Sequence, residues 1–169
     1  MNTILARIVA PGGSGALGST LAALVALSLS FGAAFIGSRF GVGAWYATLA
    51  KPGWTPPNWL FGPVWSLLYL MMAVASWLVW KRAGLAGAAL PLAVFVLQLV
   101  RNAAWSWLFF GRHAIGLALL DIVLLWIAIA GTIVLFRGVD RRAGMLLVPY
   151  LLWVTYAAAL NARIWQLNR

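Results

Sequence analysis

Arg101 and Asp121 carry the clearest chemical potential in this sequence, because both stand well inside long apolar runs. Arg101 lies nine residues before Phe110, and Asp121 lies nine residues after Arg112. At a rise of about 1.5 Å per residue, both would lie roughly 13 Å from the same end of an antiparallel helical hairpin. Ionisable groups in apolar surroundings require a partner or a role. We therefore predict a structural ion pair that fixes the register of two helices, formed directly or through water.

A second set of side chains has the types needed to hold a ligand rather than to transform it. Gln98, Asn102 and Trp105 recur at helical spacing and share one face of a helix. Asn161 lies eight residues after Trp153 in a later run. These amides would bind a polar group of a ligand, or they would bond backbone groups freed by nearby prolines. The residues alone leave both uses open.

Signatures of catalysis are scarce. His113 is the only histidine and lies in a predicted turn, which excludes a histidine-based triad or a histidine metal cluster. The chain has no cysteine, so thiol chemistry is excluded as well. Two isolated acids do not form a carboxylate pair, and no glycine-rich phosphate loop follows a strand. We expect no metal site, no cofactor and no conventional catalytic group.

The elements that must position these residues are membrane-spanning helices. The chain has 169 residues, of which 64% are hydrophobic and 8% charged, and a soluble domain carries about a quarter charged residues. A span needs roughly 20 mostly apolar residues to cross the hydrocarbon core. We therefore predict an all-α membrane protein whose single domain, residues 1–169, is a five-helix bundle. The predicted spans cover about residues 17–38, 61–81, 88–110, 114–136 and 143–165.

The segment between the first two spans has an unusual composition for a connection. Its sequence is WYATLAKPGWTPPNWLFGPVW, with four tryptophans and four prolines. Proline lacks a backbone N–H and biases the preceding residue away from helical geometry, so one continuous helix is excluded. Tryptophan rings favour the membrane–water boundary or the wall of an apolar pocket. We expect a structured lid with a pocket beneath it.

The charges and small residues bear on partners. The net charge is +10, but Lys and Arg are scattered among segment ends rather than gathered on one face, which favours anchoring to anionic membrane lipid over nucleic-acid binding. Ser28, Gly32, Ala33 and Gly37 give small-residue spacing in the first span, suited to internal packing or to a dimer seam. Arg7 and this span fit a cleaved signal peptide only loosely, and the run is long enough to cross a membrane.

Four blocks of the sequence resemble the translocator protein family, also called tryptophan-rich sensory proteins, TspO/MBR proteins or peripheral-type benzodiazepine receptors. The first is the lid block, which continues to SLLY; the others are QLVRNAAWSWLFFG, GLALLDIVLL and VPYLLWVTYAAALN. They occur in the family's order over about residues 45–165, and only the N-terminal third is generic.

The resemblance implies a five-helix bundle, commonly a homodimer, that acts as a receptor or carrier for porphyrins such as protoporphyrin IX and for related hydrophobic ligands. Trp54 and Trp153 look like the family's pocket tryptophans. Asn102, Trp105, Ala157 and Leu160 would line the same cavity. With the lid residue Tyr46 and the amide of Gln98, these residues make up the expected ligand-binding set.

The resemblance leaves two other functions open. Pocket tryptophans equivalent to Trp54 and Trp153 would also serve a light-dependent enzyme that degrades porphyrin, and a transporter of tetrapyrroles or sterols is a further alternative. Arg101 departs from the family, whose usual residue there is apolar, so the pocket gains a candidate cation. Trp107 stands where many relatives have proline, so we expect a straighter third span. Arg163 lies in a broken sterol motif, which argues against cholesterol binding.

Overall fold

The computed structural model describes residues 15–169, with the side chain of Ala16 left out; Arg7 lies outside this range. Every regular element in the described part of the chain is helical. The α-helices in chain order are α1 Ala16–Ser38, α2 Ala44–Thr48, α3 Phe61–Gly87, α4 Ala89–Ser106, α5 Ile115–Val139, α6 Arg141–Leu146 and α7 Val148–Leu167. A 3-10 turn, Asn58–Leu60, precedes α3, and a π-helical stretch, Trp107–Gly111, follows α4.

Five helical segments of the described residues are long and apolar enough to cross a membrane, as predicted. The fourth, which is α5, has the highest mean hydropathy, 2.6. Side chains on the outer faces of the segments are large, apolar and exposed, as lipid-facing surfaces require. The segments are Leu17–Ser38, Asn58–Gly87, Ala89–Gly111, Ile115–Val139 and Arg141–Leu167.

Two spans differ in detail from their predicted limits. Helix α3 continues past Lys81 and Arg82, because both are good helix formers whose heads can extend to the interface. It breaks at Gly84, whose φ of 67° is a left-handed conformation suited to glycine. The last span begins at residue 141 and divides into α6 and α7. Asp140 caps α6 by accepting bonds from the backbone N–H groups of Arg142 and Ala143.

Helix α4, which carries much of the candidate site, packs between α1 and α5. Helix α1 packs against α3 and α4, α4 packs against α5, and α5 packs against α7. Phe95 of α4 stacks on Phe136 of α5 with ring centroids 5.6 Å apart. Tyr150, at the start of α7, is among the largest fully buried side chains. These contacts place one face of α4 towards α1 and α3 and another towards α5, and side-chain hydrogen bonds link α4 to α7.

The small residues of α1 face in two directions. A Cβ atom on Gly37 would lie 3.4 Å from Ser106 Oγ, so this glycine serves packing inside the bundle. A Cβ atom on Gly32 would meet no atom within 4 Å, and Ser28 is exposed. Because Ser28 and Gly32 face outward, a homodimer seam along α1 stays a prediction.

The end of the third span is irregular rather than straight. The backbone N–H of Arg112 donates to Trp107 O at 2.8 Å, and that of Ala114 donates to Leu108 O at 2.9 Å. These bonds skip more residues than the α-helical pattern does, so the helix widens as it ends. Trp107 therefore does not extend a regular α-helix.

Candidate ligand-binding site

The connection between the first two spans, residues 39–57, forms the lid, because the later part of the predicted lid segment belongs to the 3-10 turn and to α3. A short helix, α2, holds this lid in place. Tyr46 of α2 is 3% exposed and packs against Phe109 and Phe110, with ring centroids 6.3 and 5.7 Å away. Burial raises the pKa of the Tyr46 phenol, and the Tyr156 phenol adds to the rise. Lys51 Nζ donates to the carbonyl oxygens of Tyr46 and Leu49 at 2.7 and 2.8 Å, which closes the C-terminal end of α2.

Contacts with two other elements fix the lid in place. The Tyr156 hydroxyl on α7 donates to Trp54 O at 2.7 Å, and the two rings pack edge to face at 5.6 Å. Trp45, just inside α2, stacks on His113 with centroids 4.0 Å apart. The segment expected to be a structured lid therefore contacts α7 and the turn between α4 and α5.

A narrow cavity of about 20 Å³ lies beneath the lid, between the end of α4 and α7. This volume holds about one water molecule. Five residues of the expected ligand-binding set line it: Tyr46, Trp105, Trp153, Ala157 and Leu160. The remaining lining is apolar, apart from the hydroxyl group of Tyr156 and the amide of Asn161.

A wide cavity of about 430 Å³ lies between α1, α3 and α4, beneath the first part of the lid. Its volume is within the range of about 300–1,000 Å³ that is typical of small-molecule sites. The walls are mainly aromatic rings, and the polar groups are few. The rings include Phe31, Phe40, Trp65 and Tyr69, and the polar side chains include Asn58, Ser66, Asn102 and Ser106.

Three aromatic residues separate the two cavities. Phe61, Trp105 and Phe110 line both of them, so a single layer of rings forms the common wall. The one pocket expected from the sequence is thus divided in two in this structure. Trp105 stacks on Phe109 at 5.4 Å, which orients the wall.

Asn102 lines the wide cavity and Asn161 the narrow one, and each forms hydrogen bonds through both the oxygen and the nitrogen of its side-chain amide. The Tyr69 hydroxyl donates to Asn102 Oδ1, and Asn102 Nδ2 donates to the Tyr150 hydroxyl at 3.1 Å. Trp105 Nε1 donates to Asn161 Oδ1 at 3.0 Å. Asn161 Nδ2 in turn donates to the carbonyl oxygen that opens α5, at 3.0 Å. Both amides thus link helices rather than bond backbone groups freed by the prolines.

Gln98 and Trp54 line neither of these two cavities. Gln98 is buried, its Nε2 lies 3.7 Å from Met72 Sδ, and its Oε1 has no partner in residues 15–169. Trp54 is 48% exposed and reaches Trp153 only through the intervening ring of Tyr156, which lies 5.8 Å from Trp153. The two expected pocket tryptophans therefore pack against the same tyrosine.

Arg101 and Asp121 form a salt bridge, with Arg101 Nη1 2.9 Å from Asp121 Oδ1. The Asp121 side chain is 5% exposed and that of Arg101 is 41% exposed. Asp121 Oδ2 is buried and has no hydrogen-bond partner among the described residues. Neither residue lines the two cavities, so the substitution of an apolar residue by Arg101 adds no charge to their walls.

Several lining residues were not expected from the sequence. Phe61, Phe110 and Tyr156 line the narrow cavity, and Tyr69 lines the wide one. Tyr156 follows a predicted pocket tryptophan by three residues, and Tyr69 follows Trp65 by four. Helical spacing from a tryptophan therefore contained a signal for both tyrosines. Phe61 and Phe110 had no such signal, because they stand where helices begin and end.

Comparison with known proteins identifies this architecture. A model of the TspO/MBR family matches residues 21–166. The chain belongs to the TspO/MBR family. Family membership and five membrane-compatible helices together make it an integral, multi-pass membrane protein. The resemblance stated from the four sequence blocks is confirmed.

Bacterial and animal members of the TspO/MBR family are similar over most of the chain. Protein CrtK of Rhodobacter capsulatus is 45% identical over 136 residues, which cover 78% of this chain and 83% of CrtK. The tryptophan-rich protein TspO of Chlorobaculum tepidum is 44% identical over 156 residues, covering 88% and 96%. The human translocator protein is 44% identical over 139 residues, covering 79% and 82%. The family-model match, residues 21–166, includes the lid and the residues that line both cavities.

Proposed function

We propose that this TspO/MBR protein is a membrane receptor or carrier that binds porphyrins, including protoporphyrin IX, and other flat hydrophobic molecules. The wide cavity carries the proposal, because about 430 Å³ of space is lined mainly by aromatic rings with few polar groups. Large apolar cavities with convergent polar side chains are the usual form of small-molecule sites. Flat conjugated rings pack well against tryptophan, tyrosine and phenylalanine.

The charges around the wide cavity suit an amphiphilic ligand with its acids at the mouth. None of the residues that line the cavity is charged, so a carboxylate deep inside would lose its hydration without compensation. Arg39 is exposed and lies in sequence between the lining residues Ser38 and Phe40. The macrocycle would lie among the rings, and its carboxylates would bind cations such as Arg39 at the rim.

The narrow cavity would contribute when the common wall moves. At about 20 Å³ it admits no macrocycle in this conformation. Rotation of Trp105 or Phe110 would join it to the wide cavity, since both residues line both spaces. A ligand could then reach Trp153, which explains how a tryptophan outside the wide cavity would contact a porphyrin.

Titration of detergent-purified protein with protoporphyrin IX in the dark, followed by tryptophan fluorescence quenching, tests the proposal. Trp65→Ala is the test variant, because Trp65 lines the wide cavity. Trp126→Ala is the matched control, because Trp126 lies on α5, bonds to Thr155 and lines neither cavity. We expect saturable binding that the test variant loses and the control keeps. Unsaturable binding, or equal binding by all three proteins, would mean that porphyrin only partitions into the micelle.

A light-dependent enzyme is the second candidate function, favoured by one observation. The rings of Trp54, Tyr156 and Trp153 follow one another at 5.6 and 5.8 Å, a path along which an electron could pass. Illumination of the bound complex with dioxygen as the oxidant separates the candidates. An enzyme would convert porphyrin to new absorbing products, more slowly in Tyr156→Phe, whereas a receptor would bleach porphyrin no faster than empty micelles do.

A further inference from the structure

Asn168, immediately after α7, bonds to the lid residue Ala50 with both functions of its amide. The backbone N–H of Ala50 donates to Asn168 Oδ1 at 2.9 Å, and Asn168 Nδ2 donates to Ala50 O at 2.9 Å. The same Nδ2 donates to Ile164 O at 2.7 Å, which fixes the amide against its own helix. All three bonds have good lengths. Asn168 thus joins the lid to the end of the last helix.

The lid is held to α7 at a second point, which lies more than two helical turns nearer the start of α7 than Asn168 does. There the Tyr156 hydroxyl donates to Trp54 O at 2.7 Å. Between the two points, Lys51 closes the end of α2 through the carbonyl oxygens of Tyr46 and Leu49. The lid between residues 46 and 54 is therefore a short strap fastened at two places along one helix.

This strap closes the narrow cavity. Helix α7 supplies most of the cavity's lining, and Tyr46 is the only lid residue among the described residues that line it. Movement of the strap away from α7 would withdraw Tyr46 from Trp153 and Tyr156. Opening would expose the narrow cavity at the side of the bundle, with the wide cavity behind the common wall of Phe61, Trp105 and Phe110.

We propose that Asn168 is a positioning residue for ligand entry, which holds the lid against α7 and sets the rates at which a porphyrin enters and leaves. It acts through Ala50 and does not touch the ligand. The inference rests on the porphyrin-binding function proposed above. Because its bonds to Ala50 are exposed, water replaces them readily on opening. The strap can therefore open without unfolding of the bundle.

The bonds between Asn168 and Ala50 form a clasp on the lid. Hydrogen–deuterium exchange of the ligand-free protein in detergent tests this clasp without any porphyrin. Asn168→Ala removes both bonds to Ala50, and Asn168→Asp keeps only the acceptor. Gln166→Ala is the matched control, since Gln166 is exposed and bonds only to Arg163. We expect amides of residues 44–55 to exchange about tenfold faster in Asn168→Ala, with a smaller increase in Asn168→Asp and none in the control. Equal exchange in Asn168→Ala and wild type would overturn the proposal.

Stopped-flow binding of protoporphyrin IX in the dark then tests the link to entry. We expect Asn168→Ala to raise the association and dissociation rates by a similar factor, so that Kd changes by less than about twofold. Weaker binding through dissociation alone would mean that Asn168 holds the ligand directly, and unchanged rates would mean that the clasp gates nothing. If wild type fails to bind saturably, the proposed function fails, and the exchange experiment still decides whether the clasp exists.

Discussion

Arg101 and Asn102 are neighbours on α4, yet their side chains belong to two different regions of the molecule. Asn102 is neutral, lies at the wall of the wide cavity and bonds to two tyrosines. Arg101 is charged, bonds to Asp121 on α5 and lines neither cavity. A neutral amide can be fully bonded and still border a ligand space, whereas a charge in apolar surroundings requires a counter-ion of its own.

This difference assigns separate roles to the two faces of α4. The face with Asn102 and Trp105 links α4 to α3 and α7 through neutral hydrogen bonds and shapes the cavities. The face with Arg101 fixes α4 against α5. Substitutions on the charged face should therefore change stability alone, whereas those on the neutral face should also change binding where they disturb a group that shapes the wide cavity.

Arg101→Leu should have the largest effect on stability. It leaves the Asp121 carboxylate, 5% exposed, without its partner, and a stranded buried charge costs about 3 kcal/mol. Chemical unfolding in detergent measures the loss, with porphyrin affinity expected to stay unchanged. The double variant Arg101→Leu/Asp121→Leu should recover most of the stability, because no charge remains buried. Wild-type stability of the single variant would refute the structural role of the pair.

Asn102→Leu should come second, at about 2 kcal/mol, because it strands the hydroxyl groups of Tyr69 and Tyr150. It should also weaken porphyrin binding, since Tyr69 lines the wide cavity and would lose its fixed orientation. Unfolding and dark titration of the same preparation measure both effects. A loss of stability with wild-type affinity would contradict the role given to this face.

Trp105→Phe should cost about 1 kcal/mol, because the bond from Trp105 Nε1 to Asn161 is lost while an aromatic ring remains. The common wall would be kept, so porphyrin affinity should stay within about twofold of wild type. Unfolding midpoints of Trp105→Phe and Asn102→Leu, measured side by side, test whether Asn102→Leu loses more stability. A larger loss of stability in Trp105→Phe would contradict this ranking.

Gln98→Leu should have the smallest effect, neutral or slightly stabilising. Its amide makes one contact with a methionine sulfur and leaves a buried oxygen without a partner, so an apolar side chain of similar size removes an unfavourable burial. Unfolding midpoints decide this, and porphyrin affinity should not change because Gln98 lines neither cavity. Clear destabilisation would contradict this prediction, because it would mean that the Gln98 amide makes a stabilising hydrogen bond.

Much of the fold could be predicted because its causes are local. Span number follows from run length and bilayer thickness, and the approach of Arg101 to Asp121 follows from the constant rise of a helix. The break at Gly84 was missed because the charged pair before it looked like a helix end. The π-helical stretch at Trp107 was missed because one substitution does not specify how a helix terminates.

The site could be predicted only in part, because its shape depends on how rings pack in three dimensions. Helical spacing put Asn102 and Trp105 on one face, but it could not show that Trp105 and Phe110 would stand as a wall between two cavities. The bond between Ala50 and Asn168 joins residues 118 positions apart. Neither residue type signals such a pairing, so only the folded chain reveals the clasp.

The most direct test of the central claim fills the wide cavity and measures porphyrin binding in the dark. Ser106→Leu places an apolar side chain in the wide cavity, whereas Ser28→Leu makes the same change on the exposed face of α1. If the wide cavity holds the macrocycle, Ser106→Leu should lose roughly tenfold or more in affinity and Ser28→Leu should bind as wild type does. Wild-type affinity in a folded Ser106→Leu protein would contradict the account.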